Sequence, residues 1–321
     1  MGPDSSQDAQ TVSQLGEFGL IRRVTSGRGQ SPGTLLGPGD DAAVLSASDG
    51  RVVATTDVLV QNVHFRLDWS TPHQVGRKAV AVNLSDIAAM GAVPTGLLVG
   101  LACSAEESTT VVDGLAAGMW EEARGVGIDL AGGDMVTSTT LTVSVTALGE
   151  LEGREPVTRS GARPGDVVAV AGRLGWAAAG LAVLARGFRS PLAVVGAQRV
   201  PEPPYEAGPL AAAAGATSMI DISDGLLADL GHVAEASQVS IDVRGDQVEI
   251  PQRLIEVASA LGANPQHWVL TGGEDQALAA TFPAERSLPQ GWTAVGTVGR
   301  GRGVTVDGAD YDEQEGWQHW R

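Results

Sequence analysis

Six short segments of the 321-residue chain set carboxylates beside glycine, serine or threonine. They are Gly37-Pro-Gly-Asp40-Asp41, Thr55-Thr56-Asp57, Asn83-Leu-Ser-Asp86, Gly132-Gly133-Asp134, Asp221-Ile-Ser223-Asp224-Gly225 and Gly272-Gly273-Glu274-Asp275. The pattern predicts that they fall at strand ends or in glycine-flanked turns, where glycine lets the backbone approach a ligand closely. Carboxylates gathered in this way repel one another. The arrangement is tolerable where hard cations share it, and Mg²⁺ prefers such oxygen ligands. Thr55, Thr56 and Ser223 can add neutral oxygens. Each segment alone has a plainer reading: Asp-Gly and Gly-Asp are ordinary turn chemistry, and Asp221 or Asp224 could cap a following helix. Six together favour a metal-assisted site.

Nucleotide phosphates are the commonest companions of Mg²⁺. The chain has no Gly-x-x-x-x-Gly-Lys-Ser/Thr loop, and its only lysine, Lys78, is not in a glycine-rich turn. A phosphate site here would rely on metal ions, backbone N–H groups and an arginine. Gly172-Arg-Leu-Gly175-Trp-Ala-Ala-Ala-Gly180 follows a strand, but its spacing is not that of a dinucleotide loop, and no such cofactor is expected.

The elements that must position these acids alternate. Val52–Val60 reads as a strand. A helix opens at Thr71-Pro72 and stops near Met90, before Gly91. Ser104-Ala-Glu-Glu107 fits a capping box, predicting a helix to about Gly125. Strands are expected over Thr140–Leu148, Asp166–Ala171, Ser218–Ile222 and Trp292–Val298. Helices are expected over 176–187 and 223–237, and residues 188–208 read as a loop. The class is α/β or α+β. Residues 1–14 read as a disordered tail, 15–150 as one domain and 151–321 as a second.

A net charge of −17 weighs against nucleic acid and anionic membranes as partners. No apolar run reaches the roughly 18 to 20 residues of a membrane span. The N-terminus is polar and acidic, unlike a signal peptide, so the expected location is the cytoplasm. The single cysteine, Cys103, reads as a buried structural thiol.

In order along the chain, GDDAAV (39–44), TTDVLVQNVHF (55–65), KAVAVNLSDIAAMGA (78–92), GGD (132–134), TRSGARPGD (158–166), IDISDGLLADLGH (220–232), LTGGED (270–275) and the terminal GWQHW resemble the thiamine-monophosphate kinase family. Its superfamily of ATP-using enzymes includes aminoimidazole ribonucleotide synthetase and selenophosphate synthetase. The resemblance implies a two-domain aminoimidazole ribonucleotide synthetase-like fold. It also implies a homodimer that pairs the N-terminal sheets, with ATP near the interface. The implied reaction is ATP plus thiamine monophosphate giving ADP plus thiamine diphosphate, the last step of thiamine diphosphate synthesis.

By position, Asp41, Thr55, Thr56, Asp57, Asp86, Asp134, Asp221 and Asp224 resemble the family's Mg²⁺ ligands, with Asp40 adjacent. Gly133, Asp134, Arg159 and Ser223 match its ATP contacts, and His64, Glu274 and Trp317 its thiamine-phosphate contacts. Asp57, Asp134, Asp221, Asp224 and Arg159 are the expected catalytic set. The chain departs from the family at Ala116, Trp176-Ala177 and Tyr205, in the adenine-side and loop contacts. Three alternatives stay open: aminoimidazole ribonucleotide synthetase, a non-catalytic nucleotide- or thiamine-phosphate-binding protein, and a metal-dependent phosphohydrolase.

Overall fold

The computed structural model describes residues 10–15, 17–28, 31–36 and 44–311. Asp40, Asp41 and Trp317 lie outside them. The described elements, in chain order, are α1 (Val12–Leu15), α2 (Glu17–Thr25), β1 (Thr34–Leu36), β2 (Val44–Leu45), β3 (Val53–Val60), α3 (Pro72–Ala89), β4 (Val93–Cys103), α4 (Thr109–Gly125), β5 (Leu130–Thr137) and β6 (Thr142–Glu150). There follow β7 (Val167–Ala171), α5 (Trp176–Ala185), α6 (Leu192–Arg199), α7 (Ala207–Ala214), β8 (Ser218–Ile222), α8 (Leu226–Ser237), β9 (Ser240–Val243), α9 (Gln252–Leu261), α10 (Pro265–Thr271), β10 (Ala277–Phe282), β11 (Trp292–Gly299) and β12 (Gly303–Val306). The first helical turn and a bridge from Thr11 to Ser108 fall within the stretch expected to be a tail.

The chain divides into two compact units. The first holds residues 1–47, 54–83 and 94–148, and the second 48–53, 84–93 and 149–321. In the first, four strands run in the order β3-β6-β4-β5, with β4 and β5 parallel. β6 alternates strictly between buried and half-buried positions, so Val143, Val145 and Ala147 line the core face. α3 and α4 approach backbone to backbone, because a Cβ on Gly76 would overlap the Leu115 carbonyl and one on Gly118 that of His73.

In the second unit, six strands run β12-β9-β11-β7-β10-β8. The β9–β12 pair is parallel, and every other pair in the sheet is antiparallel. β8 and β10 are buried at every position, as a strand covered on both faces must be. The core gathers alanines of β7 and β10 with Met219, Phe282 and Trp292, the two rings edge to face at 5.4 Å.

The alternating strands and helices agree with the mixed α/β class, with local exceptions. α4 is capped four residues later than expected: the cap is Ser108, whose Oγ accepts the Thr110 N–H, while Ser104 Oγ only closes a turn at Glu106. The proline-rich stretch expected to be a loop contains α6, which fits between Pro191 and Pro201 because neither proline lies inside it. Residues 223–225 are a turn preceding α8, whose N-cap is Gly225 without a side-chain cap bond.

Candidate active site

Among the described residues of the first unit, the acids of the TTD and GGD segments do not sit at strand ends. Thr55, Thr56 and Asp57 occupy the middle of β3, and Gly133 and Asp134 the middle of β5. Alternation along a strand puts Thr55 and Asp57 on one face and Thr56 on the other. Accordingly, Thr56 Oγ1 bonds the Val145 carbonyl and receives the Thr146 hydroxyl, 3.0 and 3.1 Å away. The Asp57 N–H is tied to Asn83 Oδ1 on α3 at 3.0 Å. Gly133 pairs with Val99, and a Cβ there would overlap the Val99 carbonyl oxygen. Asp134 is exposed beside it, with Oδ1 accepting the Met135 N–H.

β3 and β5 are the two edges of the four-stranded sheet. Asp57 and Asp134 are therefore three strand spacings apart, roughly 14 Å at about 4.8 Å each. Two aspartates around one Mg²⁺, with bonds of about 2.1 Å, do not reach across that distance. Among the described residues no three His, Cys, Asp or Glu side chains form a ready metal cage.

His64 follows β3 in a tight turn. Its Nδ1 accepts the Val60 N–H at 3.0 Å, so the neutral ring carries its proton on Nε2. Lys78, 3% exposed, points its Nζ at the His64 carbonyl. Ala116 is buried in α4.

The second unit assembles its acids on two interlocked loops. Asp221 is buried on β8, opposite Leu278 of β10. Ser85 Oγ on α3 lies 3.4 Å from Asp221 Oδ2 and from the Gln276 carbonyl, which brings the segment carrying Asp86 against β8. Asp86 itself is half-buried. Ser223 and Asp224 form the turn after β8. The Ser223 carbonyl accepts the Glu274 N–H at 2.8 Å, and the Ile222 carbonyl accepts the Gln276 N–H at 3.1 Å. Gly225 has φ +123°, and a Cβ there would overlap the Thr271 carbonyl, so this position excludes a side chain. Glu274 and Gln276 both carry positive φ, 67° and 56°, flanking Asp275. Backbone held in that region by non-glycine residues costs energy, and the surrounding structure has to over-determine it.

Two buried acids to which sequence reasoning gave no role of their own do the holding. Asp229 and Asp275 are each pushed up to about 7, first by burial, opposed by backbone N–H groups that favour the charged form. Asp275 Oδ1 accepts the Ala177 N–H at 2.8 Å at the start of α5, and its Oδ2 is buried with no hydrogen-bond partner among the described residues. That helix N-terminus is thus met by the protein's own carboxylate. Arg173 lies over the Trp176 ring, 5.3 Å from its centroid, and pairs with Glu202. Only the crowding of acids in LTGGED pointed toward Asp275; nothing local marks Asp229.

A stability consequence follows. The folded chain retains on Asp275 a proton that the unfolded chain releases above about pH 4, so this group's contribution falls as pH rises from about 4 to about 7. Asp229 adds a similar slope. Asp275→Asn is expected to remove about half of it, read as denaturant unfolding free energy against pH. An unchanged slope would show that Asp275 is ionised throughout.

Arg159 sits in a single 3₁₀ turn, Arg159–Gly161, packed beside α8. Its carbonyl accepts the Ser237 hydroxyl at 2.7 Å. The guanidinium is exposed and has no carboxylate partner among the described residues. Cys103 is buried, and burial pushes its thiol up, consistent with a structural role. No helix among the described residues is long and apolar enough to cross a membrane.

Residues 39–151 match the family model of the AIR synthase related protein N-terminal domain, and 163–308 that of its C-terminal domain. The thiamine-monophosphate kinase of Mycobacterium tuberculosis is 50% identical over 313 residues, covering 97% of this chain and 93% of that protein. The Corynebacterium glutamicum enzyme of the same name is 40% identical over 98% and 97%. The chain belongs to the thiamine-monophosphate kinase family. Solved structures agree with this membership and with the two-domain AIR synthetase-like fold. The thiamine-monophosphate kinase from Stenotrophomonas maltophilia superposes with a TM-score of 0.78 at 33% identity, covering 91% of this chain and 95% of that one. AaThiL complexed with AMPPCP and TMP superposes with a TM-score of 0.80 at 32% identity, covering 98% and 100%.

Proposed function

We propose that the chain transfers the γ-phosphoryl group of ATP to thiamine monophosphate, giving thiamine diphosphate and ADP. The observation that carries this reading is the match along nearly the whole chain to AaThiL complexed with AMPPCP and TMP. The residues fit such a reaction. The nucleophile is a phosphate oxygen already anionic near neutral pH, so no Ser-His pair or strong base is needed. Asp41, Thr55, Thr56, Asp57, Asp86, Asp134, Asp221 and Asp224 would hold Mg²⁺ directly or through water. This donor set is made of hard oxygens, and Mg²⁺ usually keeps several waters and takes one or two carboxylates plus substrate phosphates. A preformed all-protein cage is therefore not required, in line with its absence among the described residues. Bound Mg²⁺ would screen the repulsion between the two phosphate groups and favour in-line attack.

Gly133 and Ser223 would approach the nucleotide closely. Arg159, whose guanidinium is exposed and without a carboxylate partner among the described residues, would hold phosphate oxygens. His64, Glu274 and Trp317 would receive thiamine monophosphate, with Trp317 stacking on the cationic thiazolium. The transfer is direct, with no phosphoenzyme.

The opposite-edge placement of Asp57 and Asp134 supports a homodimer as the working form. The β3 edge of one copy would come beside Asp134 of the partner subunit, so that each site draws on two chains. The net charge of −17 weighs against nucleic acid as a partner.

The test is incubation with ATP, Mg²⁺ and thiamine monophosphate, followed by chromatography of the thiamine species. Thiamine diphosphate and ADP are expected in equal amounts. Inorganic phosphate without thiamine diphosphate would mean a phosphohydrolase, and no turnover would mean a binding protein.

A further inference from the structure

Asp229 is 3% exposed on α8 and takes no part in the chemistry above. Its Oδ2 accepts two successive N–H groups, from Asp224 and Gly225, both at 3.0 Å. These belong to the turn that carries Ser223 and Asp224, not to the first turn of α8. The bond from Gly225, the N-cap of α8, resembles the back-reaching bond of a capping box, but Asp224 precedes the helix, so capping does not account for the bond from its N–H. Burying a carboxylate is costly unless its oxygens are well satisfied, so a merely apolar contact at this position would cost less. What this side chain supplies and an apolar one does not is an acceptor oxygen that draws two adjacent N–H groups to one point and so sets the curvature of the turn.

The turn is gripped on its other sides as well. The Ser223 carbonyl takes the Glu274 N–H, and Gly225 packs on the Thr271 carbonyl. Both fix Ser223 and Gly225, while Asp229 is what holds the Asp224 N–H between them.

We propose that Asp229 is a positioning residue for nucleotide and metal: from behind the turn it orients the Asp224 carboxylate and the Ser223 hydroxyl toward Mg²⁺-ATP. This rests on the reading of Ser223 and Asp224 as Mg²⁺-ATP contacts. Thiamine monophosphate, received by His64, Glu274 and Trp317, should feel Asp229 little.

The test compares Asp229→Ala, Asp229→Asn and Asp229→Glu by calorimetric affinity for Mg²⁺-ATP, by KM for each substrate, and by thermal melting. Asn keeps an acceptor oxygen at the same place, whereas Glu keeps the charge but moves it by one methylene. Ala and Glu are expected to weaken Mg²⁺-ATP binding ~10- to 100-fold, the range for groups that orient a metal ligand. KM for thiamine monophosphate should change less than about 3-fold in the same variants. Asn should recover most of the lost affinity. The proposal is overturned if the variants that fold bind Mg²⁺-ATP as the parent does, or if both substrates weaken equally. Should Ala fail to fold, the Asn and Glu pair decides on the same readouts. A parent chain that binds Mg²⁺-ATP but makes no thiamine diphosphate would refute the kinase reading and leave this one standing on the calorimetry.

Discussion

Asp57→Asn and Asp134→Asn are each expected to lower turnover on the order of 10²- to 10³-fold, the scale for removing one well-placed charge-stabilising group. Co-expressed, the two variants should recover about a quarter of parental activity. Each substitution keeps the side chain's size and removes only the charge. Asp57 is held by its N–H on Asn83, which the substitution leaves in place, so melting should be little changed. The recovery follows from the sheet order β3-β6-β4-β5, which puts the two acids on opposite edges. If each site takes Asp57 from one chain and Asp134 from the other, a mixed dimer carries one doubly altered site and one intact site. Random pairing makes half the dimers mixed, and half of their sites intact. Activity is measured on the co-expressed population, and mixed dimers purified from it through two different tags should reach about half of the parental value. Failure of both single variants to lose activity would remove Asp57 and Asp134 from the metal set. Loss without recovery in the mixture would mean that each chain completes its own site.

Gly133→Ala is expected to cost about as much activity for a different reason. Gly133 lies in register with Val99, and a Cβ would overlap the Val99 carbonyl oxygen, which is backbone and cannot rotate away. β5 is an edge strand, bonded on one side only within its sheet, so the strain is relieved by a displacement away from β4. The expected stability loss is about 1–3 kcal/mol, the usual cost of overpacking. That shift carries Asp134 with it, and a misplacement of about 1 Å at a phosphoryl-transfer site costs on the order of 10²-fold. Melting temperature and kcat/KM for ATP, measured together, check the argument. A folded Gly133→Ala chain with parental kcat/KM would show that no close approach of nucleotide to this glycine is used.

Much of the local structure was legible in the residues. β8 runs over Ser218–Ile222 as read, and α3 opens at Pro72 and ends just before Gly91, which takes φ +71°. Both signals are short-range: β-branched or apolar runs bounded by turns, and a proline start with a glycine stop. The start of α4 was misread because two serines four residues apart offer equivalent caps, and only packing selects Ser108. The helix within 192–199 was hidden by flanking prolines that bound it but do not enter it.

Asp134 was expected at a strand end or in a glycine-flanked turn because glycine and aspartate favour turns locally. Strand pairing overrode that preference: Gly133 lies in β5 because only a residue without a side chain fits beside the Val99 carbonyl.

By itself, the sequence determined the chemical inventory. It holds many hard oxygen ligands, one lysine, one cysteine and no P-loop, and an ordered run of motifs specific enough to indicate the family. These are properties of residue types and short spacings, so no fold is needed to read them. Tertiary structure alone decided which acids keep company. Strand order put Asp57 and Asp134 on opposite edges, and two hydrogen bonds made Asp229 the anchor of a turn it does not belong to. It also brought Asp275 to the N-terminus of a helix 98 residues earlier in the chain. The physical reason is the same in each case: sheet order and burial arise from contacts between residues distant in sequence, and a carboxylate becomes ligand, anchor or surface charge according to what surrounds it.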